Sequence, residues 1–421
     1  MEHHPQLTAM ATEFESDVIE LLVETLLRAL KRESPRVGTE DLLAALVLGD
    51  SAAGEAIAPG MRKAGSLSGL VHGRAGRGWA RDDHDDETSG EPADEHEVAA
   101  AWRVAQWQTA QRTRKTRKAP RTPKTPETPE TAETAETKKT AAAVARSERE
   151  WPEPTGALRA CLFLALGLAR LEGSPGVYAR HVARALLDLP DSRAREAYAL
   201  SRLDRAAAYT ALDALDARDT PVAPATDRPR TPAVTVLIRA GLLEDRSNWL
   251  ARKLMAWTSQ HPGDGTPVLF AVTVESTRRA IRCGRNTAEP IDLLLAVLAL
   301  DRALSLCGRS LPNEAAAANE AAGLLRRHGV RPDTLVLSAL ATVPLPVSDQ
   351  VSLSDTAERT VASARLIASE HHASSVGTVH LLAALLDDAA DDEEAPVLRR
   401  LRAQDVDIAA LKADLSPRLS A

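Results

Sequence analysis

VGTEDLLAAL occupies residues 37–46, and VGTVHLLAAL occupies residues 376–385. Eight of the ten positions agree across more than three hundred residues of intervening chain. The phrase reads as loop, cap and helix. Gly38 gives the turn a permissive backbone. Thr39 is a favoured N-cap, with a hydroxyl for an orphan N–H of the first turn. Glu40 and Asp41 set negative charge at the positive end of the helix dipole. Leu42, Leu43 and Leu46 then make one apolar face. The later copy keeps Gly377, Thr378, Leu381, Leu382 and Leu385.

A second helical pattern precedes each phrase. Val18, Leu22, Leu26, Ala29 and Leu30 share a face before the first copy, and Ala357, Val361, Ala364 and Ala368 before the last. After the last copy, Val397, Leu398 and Leu401 predict a further helix. Asp407 then caps a helix that buries Ile408, Leu411 and Leu415. The unit is therefore about 65 residues and four helices, marginal alone by size.

The same layout recurs twice between the two clear copies. Residues 157–212 carry PGVYARHVARALL, which sets Ala179 and Arg180 where the first copy has Thr39 and Glu40. Residues 272–300 carry a more degenerate version, with Pro290 and Ile291 at those places and Leu293, Leu294 and Val297 as the apolar face. Proline is tolerated in a first turn, where its missing N–H has no helical partner anyway. Four units predict two pairs.

The chain has 421 residues, 44% of them hydrophobic and only 3% aromatic. Its core is therefore built from Ala, Leu and Val, which favours an all-α fold. A net charge of −7 argues against nucleic acid as the main partner. Cys161, Cys283 and Cys307 are odd in number and scattered, as expected of a reducing compartment. No apolar run of about 18 residues suggests a membrane span. MEHHPQLTAM has no apolar signal region, so a cytoplasmic protein is expected.

The expected segmentation places repeat one at 12–72, repeat two at 153–215, repeat three at 268–342 and repeat four at 351–416. Residues 73–152 are expected to be a low-complexity, largely disordered insertion with one short helix carrying Val98, Trp102 and Ala105 inward. Its Thr-Pro and Glu-Thr repeats hold no core-forming residues. DDHDDE (82–87) reads as a solvated acidic stretch. Residues 216–232 read as a linker. Residues 233–262 read as extra helices, with Trp249 and Trp257 on one face.

No enzyme signature survives inspection. GSLSG (65–69) has Leu67 where a nucleophile elbow needs serine. GRAGRG (73–78) lacks the spacing and the preceding strand of a dinucleotide loop. There is no H-E-x-x-H and no cysteine pair for a metal. No Gly-Lys dipeptide exists, so no phosphate-cradling ATP loop is present. No cofactor is expected.

The layout S-x-x-A-x-x-x-V-x-x-A, then V-G-T-x-H-L-L-A-A-L-L, then V-D-x-x-x-L resembles the amino-terminal (Clp repeat) domain of the Clp ATPases. The resemblance is clearest at 353–416 and covers over half the chain. It implies two tandem domains, each a pseudo-two-fold pair of four-helix repeats, of the kind that receives substrates and adaptors. It also implies binding without a motor, as an adaptor or decoy among Clp ATPase or protease components. The alternative is a small-molecule binding protein using the groove between paired units.

In some members of that family an acid in each repeat helps to bind phosphorylated arginine. Carried over, the candidate binding residues are Thr39, Glu40, Arg180 and Thr378. Only Glu40 keeps the acid; Arg180, Ile291 and Val379 replace it. Losing one charge-assisted hydrogen bond costs roughly 1.5–3 kcal/mol, so phosphoarginine is not expected at three of the four places.

Overall fold

The computed structural model describes residues 12–61, 69, 71, 73–74, 78–80, 83, 90–118, 151–218, 231–243, 267–348, 350–387 and 395–420. The described chain is predominantly helical. Its core forms two apolar clusters. One gathers residues from Phe14 to Leu212, with Ile281 reaching in from later in the chain. The other gathers residues from Ala233 to Leu419.

Four helical hairpins organise these cores, and their geometry repeats to the residue. The leading helices are Ser16–Lys31, Gly156–Leu171, Pro267–Arg282 and Asp355–Glu370, each of 16 residues. Each second helix starts 23 residues after its leading helix starts, at Thr39, Ala179, Pro290 and Thr378. The turn between them is the same device four times. A left-handed residue follows the leading helix: Glu33 (φ 56°), Gly173 (φ 65°), Gly284 (φ 81°) or His372 (φ 52°). The next N–H then bonds back over the turn, Ser34 to the Ala29 carbonyl at 3.1 Å, Ser174 to Ala169 at 2.8 Å, Arg285 to Ala280 at 2.8 Å and Ala373 to Ala368 at 2.9 Å. This closes a Schellman turn. The accepting residue is a buried alanine in all four.

A second hairpin follows in three units. Arg202, Gly329 and Asp405 are left-handed, and a helix begins three residues later at Arg205, Pro332 and Ile408. Asp407 caps the last of these, accepting from the N–H groups of Ala409 and Ala410 at 3.0 and 3.1 Å.

Short parallel strands lock units into pairs. Glu13–Phe14, ahead of the first leading helix, pairs with Gly176–Val177, ahead of the second helix of unit two. Arg36–Val37, inside unit one, pairs with Glu153–Pro154, ahead of unit two. The exchange is reciprocal. In the other half, Thr287–Ala288 pairs with Ser352–Leu353.

The insertion departs from expectation. Residues 92–118 form a 27-residue helix, longer than the short helix expected there. Val98, Ala101, Trp102 and Ala105 lie at i, i+3, i+4 and i+7 and are buried in the first core. Arg170 Nη1 donates to Asp94 at 2.9 Å and Arg112 Nη1 donates to Glu24 at 3.1 Å, so the helix is tied to both leading helices of the pair, while Glu97 accepts the Phe14 N–H of the first strand at 2.8 Å. The Thr-Pro repeats lie outside the described residues. Pro232–Arg239 is a helix packed on Pro267–Arg282, while Trp249 and Trp257 lie outside the described residues.

The two cores meet across charged side chains. Arg279 donates twice to Glu13, at 2.7 and 3.1 Å. Arg302 donates to Glu15 at 2.8 Å, Arg282 pairs with Glu97, and Arg103 Nε donates to the Ile281 carbonyl at 3.1 Å. Burial alone would raise the Glu13 carboxyl, but Arg279, Arg282 and Arg302 hold it well below the usual range. Among the described residues no helix is long and apolar enough to cross a membrane. Cys161, Cys283 and Cys307 are buried and form no disulfide among the described residues.

Candidate functional site

The entrances of the four second helices hold the candidate residues, and all four are closed by one backbone-level device. The third helical residue turns its side chain back to accept the N–H of the residue before the helix. Asp41 accepts from Gly38 at 3.4 Å, His181 from Tyr178 at 2.8 Å, Asp292 from Glu289 at 2.9 Å and His380 from Gly377 at 3.0 Å. Half of a capping box is therefore kept by two different chemistries. Accepting through Nδ1 leaves each histidine proton on Nε2. That proton goes to Glu172 at 2.8 Å from His181 and to the Leu419 carbonyl at 3.0 Å from His380. Burial lowers the His380 pKa, as an imidazole held neutral requires.

The partners of these residues show the same pair of positions reused with donor and acceptor exchanged. Arg32 pairs with Asp41, and Glu172 pairs with His181. Both pairs link the residue after the leading helix to the third residue of the next. Unit three reaches its Asp292 from Arg285 instead, and burial still pushes that carboxyl up to about 6.

Thr39 begins its helix rather than capping it; Gly38 holds the cap position. Its hydroxyl is fully buried and turned away from its own first turn. The Thr39 N–H donates to Asp83 Oδ2 at 2.7 Å, and the Thr39 hydroxyl meets both Asp83 oxygens at 3.0 and 3.1 Å. Asp83 also accepts the Arg193 N–H at 2.9 Å and faces the Thr155 hydroxyl at 3.3 Å. The Ala194 N–H donates to Thr39 Oγ1 at 3.0 Å. Asp83 is 3% exposed, so this residue of the acidic stretch is not solvated.

Glu40 lies beside this cluster at 5% exposure. Its Oε1 is 3.4 Å from Arg193 Nη1, and its Oε2 has no hydrogen-bond partner among the described residues. Burial, then the charges of Asp41 and Asp83, push its pKa up to about 7 against the pull of Arg193.

The other candidates sit differently. Arg180 lies 4.9 Å over the Tyr178 ring and 3.8 Å from Glu172, and takes no part in the contacts around Asp83 given above. The backbone N–H of Ala179, one residue earlier, donates to Asp17 at 2.8 Å. Thr378 lies in the other core, its N–H donating to Asn319 Oδ1 at 2.9 Å. Its own hydroxyl is buried without a hydrogen-bond partner.

The chain therefore fills its own helix entrances. Of the four first residues, Pro290 has no N–H, and the other three donate to Asp83, Asp17 and Asn319. An entrance N–H that would favour an anion is already engaged in each case. Asp83, Asp17 and Asn319 are the residues that sequence reasoning missed. Asp17 carried one readable signal, a carboxylate in a first turn. Asp83 and Asn319 carried none, because their partners lie 44 and 59 residues away.

Among the described residues, no cluster of His, Cys, Asp or Glu could hold a metal ion. A cleft at the joint between the cores, lined by Glu13, Arg279, Leu295, Leu298, Arg302 and Asp333, encloses about 20 Å³. That is room for about one water molecule. Comparison with protein-family models, with curated proteins and with solved structures finds no match.

Proposed function

We propose that this chain is a non-catalytic, protein-binding member of the Clp chaperone-protease system, built as two tandem receiving-type domains without a motor. The observation that carries the reading is the fourfold hairpin with its 23-residue spacing, combined with reciprocal strand exchange between units one and two. Both features support the pseudo-two-fold arrangement that the sequence resemblance implies. This sequence holds no ATP-binding loop, which supports the adaptor or decoy reading, with any unfolding or proteolysis supplied by a partner. Phosphoarginine is not the proposed ligand, since one acid of four remains and the entrance N–H groups are engaged. The small-molecule alternative, a ligand in the groove between paired repeats, draws no support from the cleft at the joint between the cores.

The test is affinity capture from the native cell extract with the full chain as bait. Removing 73–152 is not a fair control, because it strips a helix from the first core. Recovery of a Clp ATPase, one of its adaptors or its substrates is the expected result. Capture that repeatedly yields none of these overturns the proposal.

A further inference from the structure

Each half of the chain closes its own strands. Glu13–Phe14 and Arg36–Val37 find their partners inside the first half, and Thr287–Ala288 finds its partner inside the second. Each half also has its own apolar cluster. Among the described residues of the second half, Ile281 and the half-buried Val351 pack into the first cluster. The polar ties across the joint run from arginine to acid or to carbonyl. Arg279 donates to Glu13, Arg302 to Glu15 and to the Pro175 carbonyl at 2.6 Å, and Arg282 pairs with Glu97. In the opposite sense, Arg103 donates to the Ile281 and Arg282 carbonyls. Those carbonyls end the helix Pro267–Arg282, where its dipole favours a cation.

All six side chains of these ion pairs are buried. Desolvated ion pairs rarely outperform apolar packing of the same volume, yet losing one partner strands the other charge. The matching is also incomplete. Arg282 Nη1, Arg302 Nε and Asp333 Oδ1 are buried without a hydrogen-bond partner among the described residues, as is Oε2 of Glu275, which braces Arg279 through its other oxygen at 3.1 Å. Arg302 and Asp333 line the water-sized cleft at this joint. Such a contact fixes one docked geometry and adds less cohesion than either core has within itself. Interfaces between domains of one chain are commonly of this polar kind, and domain motion follows from it.

We propose that the joint is an ionic latch: Arg279, Arg282 and Arg302 hold Glu13, Glu15 and Glu97 so that two folded halves dock in one orientation, and release of these pairs separates the halves with both cores intact. The helix Pro92–Lys118 belongs to the latch, because it supplies Glu97 and Arg103 six residues apart. Opening uncovers three guanidinium groups on the second half and three carboxylates on the first. The latch is independent of the binding role proposed above, since it concerns how the halves are joined and not what either one receives.

The test is the shape of the full chain in solution, read by small-angle X-ray scattering beside far-ultraviolet circular dichroism. The double variant Arg279→Gln with Arg302→Gln strands Glu13 and Glu15. The control is Lys412→Gln, which removes an exposed ion pair elsewhere. The expected result is a larger radius of gyration in the double variant with the helical signal unchanged. Stranding buried charges should shift the closed-to-open equilibrium by at least about a hundredfold. Lys412→Gln should keep the parent's dimensions. A double variant that folds and stays as compact as the parent overturns the latch, and so does equal expansion of the control. Should the double variant lose its helices, the unaltered chain in rising urea decides. Expansion ahead of helix loss supports two bodies joined by a latch, and expansion only together with helix loss overturns it.

Discussion

The two Gly-Thr phrases share eight of ten residues and one hairpin geometry, yet their surroundings differ at nearly every polar contact. At residues 37–46 the entrance is charged. Asp83 fills it, Arg32 braces Asp41, and Glu40 is buried among like charges. At residues 376–385 the entrance is neutral. Asn319 takes the N–H, His380 replaces Asp41, and the threonine hydroxyl is idle. The phrase thus encodes a backbone turn, and the electrostatics come from residues outside it.

Glycine gives the sharpest way to break this comparison. A Cβ at position 377 would sit 2.0 Å from the Ala318 carbonyl oxygen, whereas one at position 38 would meet only the movable Glu40 carboxylate. Gly377→Ala should therefore destabilise the protein by about 2–3 kcal/mol in urea titrations, and Gly38→Ala by under about 1 kcal/mol. Equal costs would show that the two entrances are packed alike.

The threonines should part company as well. Thr39→Val removes a hydroxyl bonded to Asp83 and the Ala194 N–H, at a cost of about 2 kcal/mol in the same assay. Thr378→Val removes a buried hydroxyl without a partner and should be neutral or slightly stabilising. A loss at 378 matching that at 39 would contradict the idle hydroxyl.

Acidity sharpens the contrast further. The Glu40 pKa is raised from an ordinary 4.5 to about 7, so the fold favours its protonated form. That contribution is complete below about 4.5 and fades as pH rises through about 7. Glu40→Gln should then match the parent at pH 4 and exceed it by about 1–3 kcal/mol at pH 8. Identical stability curves would mean that Glu40 is solvated. Val379, its counterpart, offers no such titration.

The hairpins were legible in the sequence because local physics writes them. Leu42, Leu43 and Leu46 recur as an apolar face, and even Pro290 keeps its helix because a first turn needs no N–H there. The position of Thr39 was misread by one residue, since both Gly38 and Thr39 suit a cap and only the bond to Asp83 separates them. Helix 92–118 was seen only at Val98, Trp102 and Ala105, because its polar remainder looks like the low-complexity stretch that follows. Asp83 was invisible for a different reason. Within DDHDDE nothing distinguishes it from its neighbours, and its burial depends on Thr155 and Arg193, which are remote in sequence.

The exchanged strands of the first pair also bear on how such a chain can change over generations. Unit one lends Glu13–Phe14 and Arg36–Val37 to unit two and receives both partners from it. A deletion that erased either unit would leave the survivor with two unmatched edges. The smallest piece this lineage can copy or discard without exposing a raw edge is therefore the pair.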